Sequence, residues 1–161
     1  MNKERKHIVF LARWYPHRYD PMFGLFVQRH AEAAALFNDI TVIYCQQIES
    51  QSRKVAKSQR DASITPEKNE QYVIDTSNHK KFEIVRTNEN NVDTIRVYYK
   101  KPKNKILSLI RFYRANMMAL KIGRDKSRPY DLIHVHILTR LGVIAWMQKL
   151  LHKTPYIITE H

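Results

Sequence analysis

The sequence has little glycine and cysteine and no long apolar run, and each shortage excludes a class of protein. Its 161 residues include three glycines and one cysteine, Cys45. Neither the G-x-G-x-x-G loop of dinucleotide-binding proteins nor the G-x-x-x-x-G-K-[ST] loop of P-loop proteins occurs. A lone cysteine rules out an internal disulfide and favours a reducing compartment. The apolar runs are too short to cross a bilayer, so we expect no transmembrane helix.

The first residues lack the pattern of a signal peptide. Residues 1–6, four of which are charged, lead into only six apolar-range residues, His7–Ala12. A signal peptide has a longer apolar region and a cleavage site with small residues. We therefore expect a cytoplasmic protein. Its length and its 43% apolar content predict one domain over residues 1–161.

Positive charge is concentrated in one short part of the chain. The formal net charge is +13, and residues 101–128 alone carry nine basic residues and one acidic residue, or +8. A basic patch of this kind suits nucleic acid, an anionic membrane or a phosphorylated ligand. We expect no nucleic acid partner, because no helix-turn-helix, zinc-finger or RNP signature is present.

Short apolar runs alternate with helical patterns in the manner of a parallel α/β sheet. Gly24 opens a helix to about residue 37, a second helix runs from 103 or 104 to about 126, and a third covers 139–151. Because strand–helix–strand units imply parallel pairing, we predict a doubly wound, Rossmann-like, mostly parallel sheet with helices on both faces. The predicted strands of this sheet are His7–Ala12, Ile40–Cys45, Leu132–Val135 and Tyr156–Thr159.

The middle of the chain departs from this alternation. Residues 46–69 are polar, with few apolar anchors, which predicts a mobile excursion from the sheet. Three short β-like runs follow, and the Asn-rich segment Asn88–Asn91 is suited to a turn between the last two. We therefore expect a small β-hairpin excursion. The three runs are Gln71–Asp75, Phe82–Thr87 and Thr94–Tyr99.

The long second helix presents two patterned faces. Steps of four and three place large apolar residues on one face, which predicts contact with the core. A second face mixes cations with apolar groups and suits either anionic lipid headgroups or plain solvation. The predicted core face is Ile106, Ile110, Tyr113, Met117 and Leu120, and the second face is Leu107, Arg111, Arg114, Met118 and Lys121.

Candidate ligand-binding residues follow the predicted strands, where the carboxyl ends of a parallel sheet form a crevice. Arg13, Trp14 and Tyr15 follow the first strand in an aromatic, basic loop that suits sugars and phosphates, or that covers the edge of the sheet. His136 and His161 end two later strands, so each is placed to meet a ligand.

Three further candidates have ordinary structural alternatives. Gly24 suits close approach of phosphate at a helix start, or simply a turn. His134 shares a strand face with His136, and without a third ligand at a recognisable spacing we expect no metal site. His134 reads as a core histidine bonded to backbone, and Cys45 as packing.

Four segments together resemble the N-terminal domain of GT-B glycosyltransferases of family 4. They are FLARWYPHRYDPMFGLFVQRHAEAAAL with the following ITVIY, and YDLIHVH with TPYIITEH. The resemblance covers residues 7–45 and 130–161, and the middle only in outline. It implies transfer of a sugar from a nucleotide-sugar donor to an acceptor, with no metal and no other cofactor.

The resemblance also implies roles for individual residues. His161 would lie at the reacting centre and Gly24 near the donor's phosphates. The acceptor side would be formed by His136 and the loop residues Arg13, Trp14 and Tyr15. In this family the N-terminal domain mainly binds acceptor and a C-terminal domain holds the nucleotide. No such second domain is present in the 161 residues, so we expect them to be inactive alone.

Two settings remain open for the chain. The family habit and the basic helix favour cell-envelope polysaccharide or glycolipid synthesis, on the inner face of the cytoplasmic membrane. The alternative is a non-enzymatic basic α/β module that docks on an anionic membrane or a phosphorylated ligand. A flavodoxin-like or response-regulator domain is disfavoured, because no acidic cluster or phosphate-binding loop follows the first strand.

Overall fold

The computed structural model describes residues 4–48, 82–124, 129–137 and 140–160, which form an α/β fold around one sheet. At coarse level it is Rossmann-like. The predicted run Gln71–Asp75 and most of the predicted excursion lie outside the described residues. The elements in chain order are β1 His7–Ala12, α1 Leu25–Ala35, β2 Asp39–Ile48, β3 Phe82–Glu89, β4 Val92–Lys100, α2 Lys105–Gly123, β5 Leu132–His136, α3 Arg140–His152 and β6 Tyr156–Thr159.

The six strands form one mixed sheet in the order β3-β4-β2-β1-β5-β6. All neighbouring pairs are parallel except β3 with β4. The chain moves from β1 outward to β2 and later returns to the other side of β1 with β5. This reversal makes the carboxyl ends of β1 and β5 a topological switch point, where ligands bind in sheets of this type.

Helices cover both faces of the sheet, as predicted. Side chains of β1 alternate between the two faces: Val9 and Leu11 pack with α2 and α3, whereas Phe10 and Ala12 pack with α1. Both sets are buried, which explains why β1 reads as a continuous apolar run rather than an alternating one.

The predicted hairpin is confirmed, but it is not an excursion from the sheet. β3 and β4 are joined by Asn90 and Asn91, both with positive φ, as a type I′ turn requires. β4 then pairs in parallel with β2 as far as Ile48 opposite Lys100. The start predicted for the excursion, residue 46, is therefore wrong, because residues 46–48 continue β2.

Helix α2 begins near the predicted residue, since the Asn104 side chain accepts a hydrogen bond from the Ile106 N–H at 2.8 Å. Its predicted core face is wrong in the first two turns, where Ile106 is 70% exposed and Ile110 is 48% exposed. The buried face consists mainly of small residues further along: Ala115, Ala119 and Gly123, together with Asn116 and Leu120.

Small residues let α2 lie close to the sheet. A Cβ at Gly123 would lie 2.5 Å from the Tyr130 Oη and 2.9 Å from the Ile95 Cδ1. Tyr130 fills that position and donates a hydrogen bond to the Leu120 carbonyl at 3.2 Å. Apolar periodicity does not detect such a contact, because it weights large side chains and gives little weight to alanine and glycine.

None of the helices in the described part of the chain has the length and apolar character of a membrane span.

Candidate functional site

A crevice lies at the carboxyl ends of β2 and β4, next to the switch point, and reaches the loop after β1 and the start of α3. Ala12, the last residue of β1, lies opposite Tyr44 of β2 and His136 of β5. The cavity of the crevice has a volume of about 540 Å³, and its described lining includes Tyr44 but neither Ala12 nor His136. Its described lining residues come from the loop after β1, the ends of β2 and β4, and the two helices: Arg13, Trp14, Phe23, Tyr44, Cys45, Gln46, Gln47, Tyr99, Lys101, Phe112 and Arg140.

Arg13 and Trp14 both line this crevice, whereas His136, which the sequence placed at the same rim, does not. Both are exposed, and Trp14 makes edge contacts with the rings of Phe23 and Phe26, 6.4 and 6.2 Å between centroids. A partly exposed indole held by neighbouring rings offers a flat apolar surface beside a cation. That combination suits a sugar with a negatively charged group attached close to its ring.

Tyr15 has a different position from its two neighbours. Its ring is completely buried against the α1 face, and its hydroxyl lies 3.5 Å from the Thr94 Oγ1. Burial raises the pKa of the Tyr15 phenol, which keeps it neutral. A buried ring has no surface for an acceptor, so in this structure Tyr15 anchors the loop instead of contacting ligand.

Gly24 joins that same loop to the start of α1. It has a φ of +68° and precedes the first helical residue, Leu25. A Cβ built there would lie 2.4 Å from the Trp14 carbonyl carbon and 2.6 Å from the Tyr15 nitrogen. Gly24 thus has the turn role given as the alternative in the sequence, and it sets the position of Trp14. Its approach to donor phosphate stays a prediction.

A buried arginine of the β3–β4 hairpin, which the sequence did not single out, binds the loop after β1. Arg96 of β4 is 8% exposed and donates to the Pro16 carbonyl at 3.0 Å. It also donates to Thr87 at 2.9 Å and to both oxygens of Glu89 at 2.7 and 3.0 Å. The available signal was alternation: in TIRVYY, Arg96 shares a strand face with Thr94 and Tyr98.

The rest of the loop is closed by short-range bonds and one more arginine. His17 and Asp20 exchange two backbone hydrogen bonds, and the Asp20 carboxylate accepts the Met22 N–H at 3.0 Å. Arg18 forms an ion pair with Glu83 of β3 and lies 4.0 Å from the Tyr98 ring centroid.

A second cavity, of about 410 Å³, lies around these groups and is lined also by Gln28, Val85, Pro21 and the Arg96 network.

Of the two histidines of β5, His136 was predicted to meet a ligand and His134 to lie in the core. In the structure His136 is the more deeply buried of the two. His136 is 1% exposed, with its ring 4.7 Å from Phe10 and 4.1 Å from His134. His134 is half-buried and forms a hydrogen bond with the Thr159 hydroxyl at 2.9 Å. In this arrangement His136 has little surface for an acceptor, and its proposed contact would need the surrounding rings to move.

The two remaining candidates are His161 and Cys45. His161 lies outside the described residues. Cys45 is buried, and burial raises the pKa of its thiol, which supports its interpretation as packing. Among the described histidine, cysteine, aspartate and glutamate side chains, no group of three or more is arranged to hold a metal ion.

The predicted cationic face of α2 is divided between two environments. Arg114 and Lys121 line a groove of about 600 Å³ with Met117 and Met118, and this groove shares no described lining residue with the crevice. Arg111 instead donates to the Lys100 carbonyl at 2.9 Å. Of these three cations, Arg114 and Lys121 line the groove and Arg111 does not.

Comparison with known proteins identified no relative of this chain. No protein-family model, no curated protein and no solved structure matches it.

Proposed function

We propose that this chain is the N-terminal, acceptor-side domain of a GT-B glycosyltransferase of family 4. The full enzyme would transfer a sugar from a nucleotide-sugar to an acceptor in cell-envelope polysaccharide or glycolipid synthesis. The observation that supports this most directly is local. Arg13 and Trp14, from the loop after β1 that carries much of the family resemblance, lie in the wall of the crevice at the carboxyl ends of β2 and β4.

The proposal gives separate roles to its candidate residues. Trp14 and Arg13 would hold the acceptor, and Gly24 would place them by fixing the loop against α1. His161 would act at the reacting centre, as the family resemblance implies. The nucleotide would be held by a second domain on the other side of the crevice, without a metal or another cofactor.

The proposal predicts the behaviour of both the short chain and its full reading frame. The 161 residues should transfer no sugar and should show no sugar-dependent preference among UDP- and GDP-sugars, which isothermal titration measures directly. The full protein should transfer radiolabelled sugar. His161→Ala should reduce its kcat by about a hundredfold or more, whereas His152→Ala, at an exposed position on α3, should leave kcat unchanged.

Two results would contradict this assignment. One is tight binding of a nucleotide-sugar by the 161 residues that depends on which sugar is attached. The other is a reading frame with no second α/β domain. Either would place the chain in another class of protein.

A second candidate function, docking on an anionic membrane, is supported by the first two turns of α2. Four large apolar side chains there are exposed, between 37% and 70%. Lys103 and Lys105 flank the start of the helix. Apolar side chains beside cations suit insertion at the headgroup level of an anionic bilayer. The four apolar residues are Ile106, Leu107, Leu109 and Ile110.

Vesicle sedimentation distinguishes this candidate from a plain solvated helix. If α2 docks, the chain should bind vesicles that contain phosphatidylglycerol and dissociate at high salt. Replacing Ile106 and Ile110 with serine should weaken binding by about tenfold or more, because each buried apolar side chain contributes roughly 1.5–3 kcal/mol. Leu36→Ser is the control, since Leu36 is also 70% exposed but lies at the end of α1. Equal loss in both variants, or no binding, would reject the candidate.

A further inference from the structure

Positive charge from three separate elements meets in the crevice. Arg13 comes from the loop after β1, Lys101 follows β4, and Arg140 is the first residue of α3. The described lining of the cavity contains no aspartate or glutamate. The crevice is therefore a region of positive potential whose balancing charge does not come from its own described walls.

The second cavity, beside the same loop, shows the opposite arrangement. There Arg96 is paired with Glu89, and Arg18 is paired with Glu83. In the part of the chain that the structure describes, neither Arg13 nor Arg140 forms an ion pair. The molecule thus neutralises the arginines of one cavity and leaves those of the crevice to act on a ligand.

Other groups in the crevice show that the two arginines act on the same space. Burial raises the pKa of the Tyr99 phenol, and the positive charges of Arg13 and Arg140 both oppose that rise. Both arginines therefore lie within electrostatic reach of Tyr99. The start of α3 adds the positive end of a helix dipole at Arg140, with no acidic residue in the first turn.

We propose that the crevice binds a phosphoryl group, a phosphate or diphosphate ester. Guanidinium groups bind phosphate oxygens in pairs of parallel hydrogen bonds, and the two guanidinium groups of Arg13 and Arg140 match a group that carries about two negative charges. The cavity of about 540 Å³ exceeds the size of one phosphate, and Trp14 and Phe112 supply apolar walls for the attached group. This inference rests on the proposed function and specifies its ligand chemistry: the phosphoryl group belongs either to the donor's diphosphate or to a phosphorylated acceptor.

Titration of the 161-residue chain with inorganic pyrophosphate at low salt tests the shared chemistry. We expect saturable binding that is weakened by about tenfold or more in Arg13→Gln and in Arg140→Gln, the loss of one charge-assisted contact. The control is Arg29→Gln, since Arg29 is an exposed arginine of α1 that lines neither the crevice nor the second cavity. Far-UV circular dichroism checks that all three variants remain folded.

Two results of this titration would overturn the inference. One is a Kd for pyrophosphate above about 10 mM in the unmodified chain, which is weaker than a specific site gives. The other is an equal loss of binding in Arg29→Gln, which would show that only net charge matters. Arg13 and Arg140 are both exposed, so a failure to fold is not the expected cause of lost binding.

Two organic diphosphates then identify the source of the group. Tighter binding of UDP than of pyrophosphate assigns the crevice to the donor, and tighter binding of geranyl diphosphate assigns it to a lipid-linked acceptor. The proposed function can fail separately. Sugar-dependent binding by the short chain would contradict that function and leave the phosphoryl site standing. Sugar transfer by the full protein, without any binding of pyrophosphate to the crevice, would remove only the phosphoryl site.

Discussion

Gly24→Ala is expected to lower the free energy of unfolding by about 3 kcal/mol or more. An L-residue in the left-handed region costs roughly 1–2 kcal/mol, and overpacking typically adds another 1–3 kcal/mol. Both apply here, since φ is +68° and the new Cβ would lie 2.4 Å from backbone carbon of Trp14. The atoms that the new Cβ would meet belong to the backbone, so they cannot move away by changing a side-chain rotamer. Urea unfolding followed by circular dichroism measures the change.

A matched control for Gly24→Ala is available within α3. Gly142 is helical and does not have a positive φ, so alanine there should stabilise by up to about 1 kcal/mol. Opposite signs for one chemical change would show that conformation and crowding at Gly24 decide the effect. A Gly24→Ala protein as stable as the original would mean that Gly24 does not touch the loop as described.

Replacing Arg96 with methionine should also be strongly destabilising, by about 3 kcal/mol. Removing one partner of a buried ion pair leaves the other charge without compensation, which typically costs 3–5 kcal/mol. The low end applies because the Glu89 side chain is 35% exposed. The Pro16 carbonyl and the Thr87 hydroxyl lose their donor as well. Chemical unfolding of the variant measures this loss.

The same hairpin supplies the control for Arg96. Arg86 pairs with Asp93 at 2.8 Å in similar geometry, but its side chain is 41% exposed. Arg86→Met should therefore cost less than about 1 kcal/mol. Similar losses for the two variants would show that burial does not set the strength of these pairs. A second replacement, Glu89→Gln in the Arg96→Met background, should recover part of the loss, because it removes the uncompensated carboxylate.

The Arg96 pair also predicts a particular sensitivity to acid. Burial raises the pKa of the Glu89 carboxyl, but the hydrogen bonds and charge of Arg96 outweigh it, and the net shift is downward. A carboxyl with a lowered folded-state pKa stabilises the protein above its ordinary pKa. That contribution is lost as the pH falls through the lowered value. Unfolding measured below about pH 4.5 should show a shallower acid slope in Glu89→Gln than in the original chain.

The elements of the fold could be predicted because their signals are local. The strands and the Asn90-Asn91 turn depend on apolar runs and on residues that tolerate positive φ, and both are readable from neighbours in the chain. The burial of α2 was not readable in this way. Ile106 and Ile110 continue an apolar stripe, yet the sheet accepts only the small face further along the helix.

The candidate site divides along the same line. The apolar strands, the W-Y-P loop and Gly24 by themselves determined an α/β sheet and placed Arg13 and Trp14 beside a crevice, because strand ends follow from chain order. Only the tertiary structure showed Tyr15 buried and His136 enclosed by rings, and only it brought Arg140 and Lys101 into the lining of the same cavity as Arg13. The reason is physical: which face of an element is covered, and which distant charges meet, depends on how the layers pack and not on the spacing of residues within any one segment.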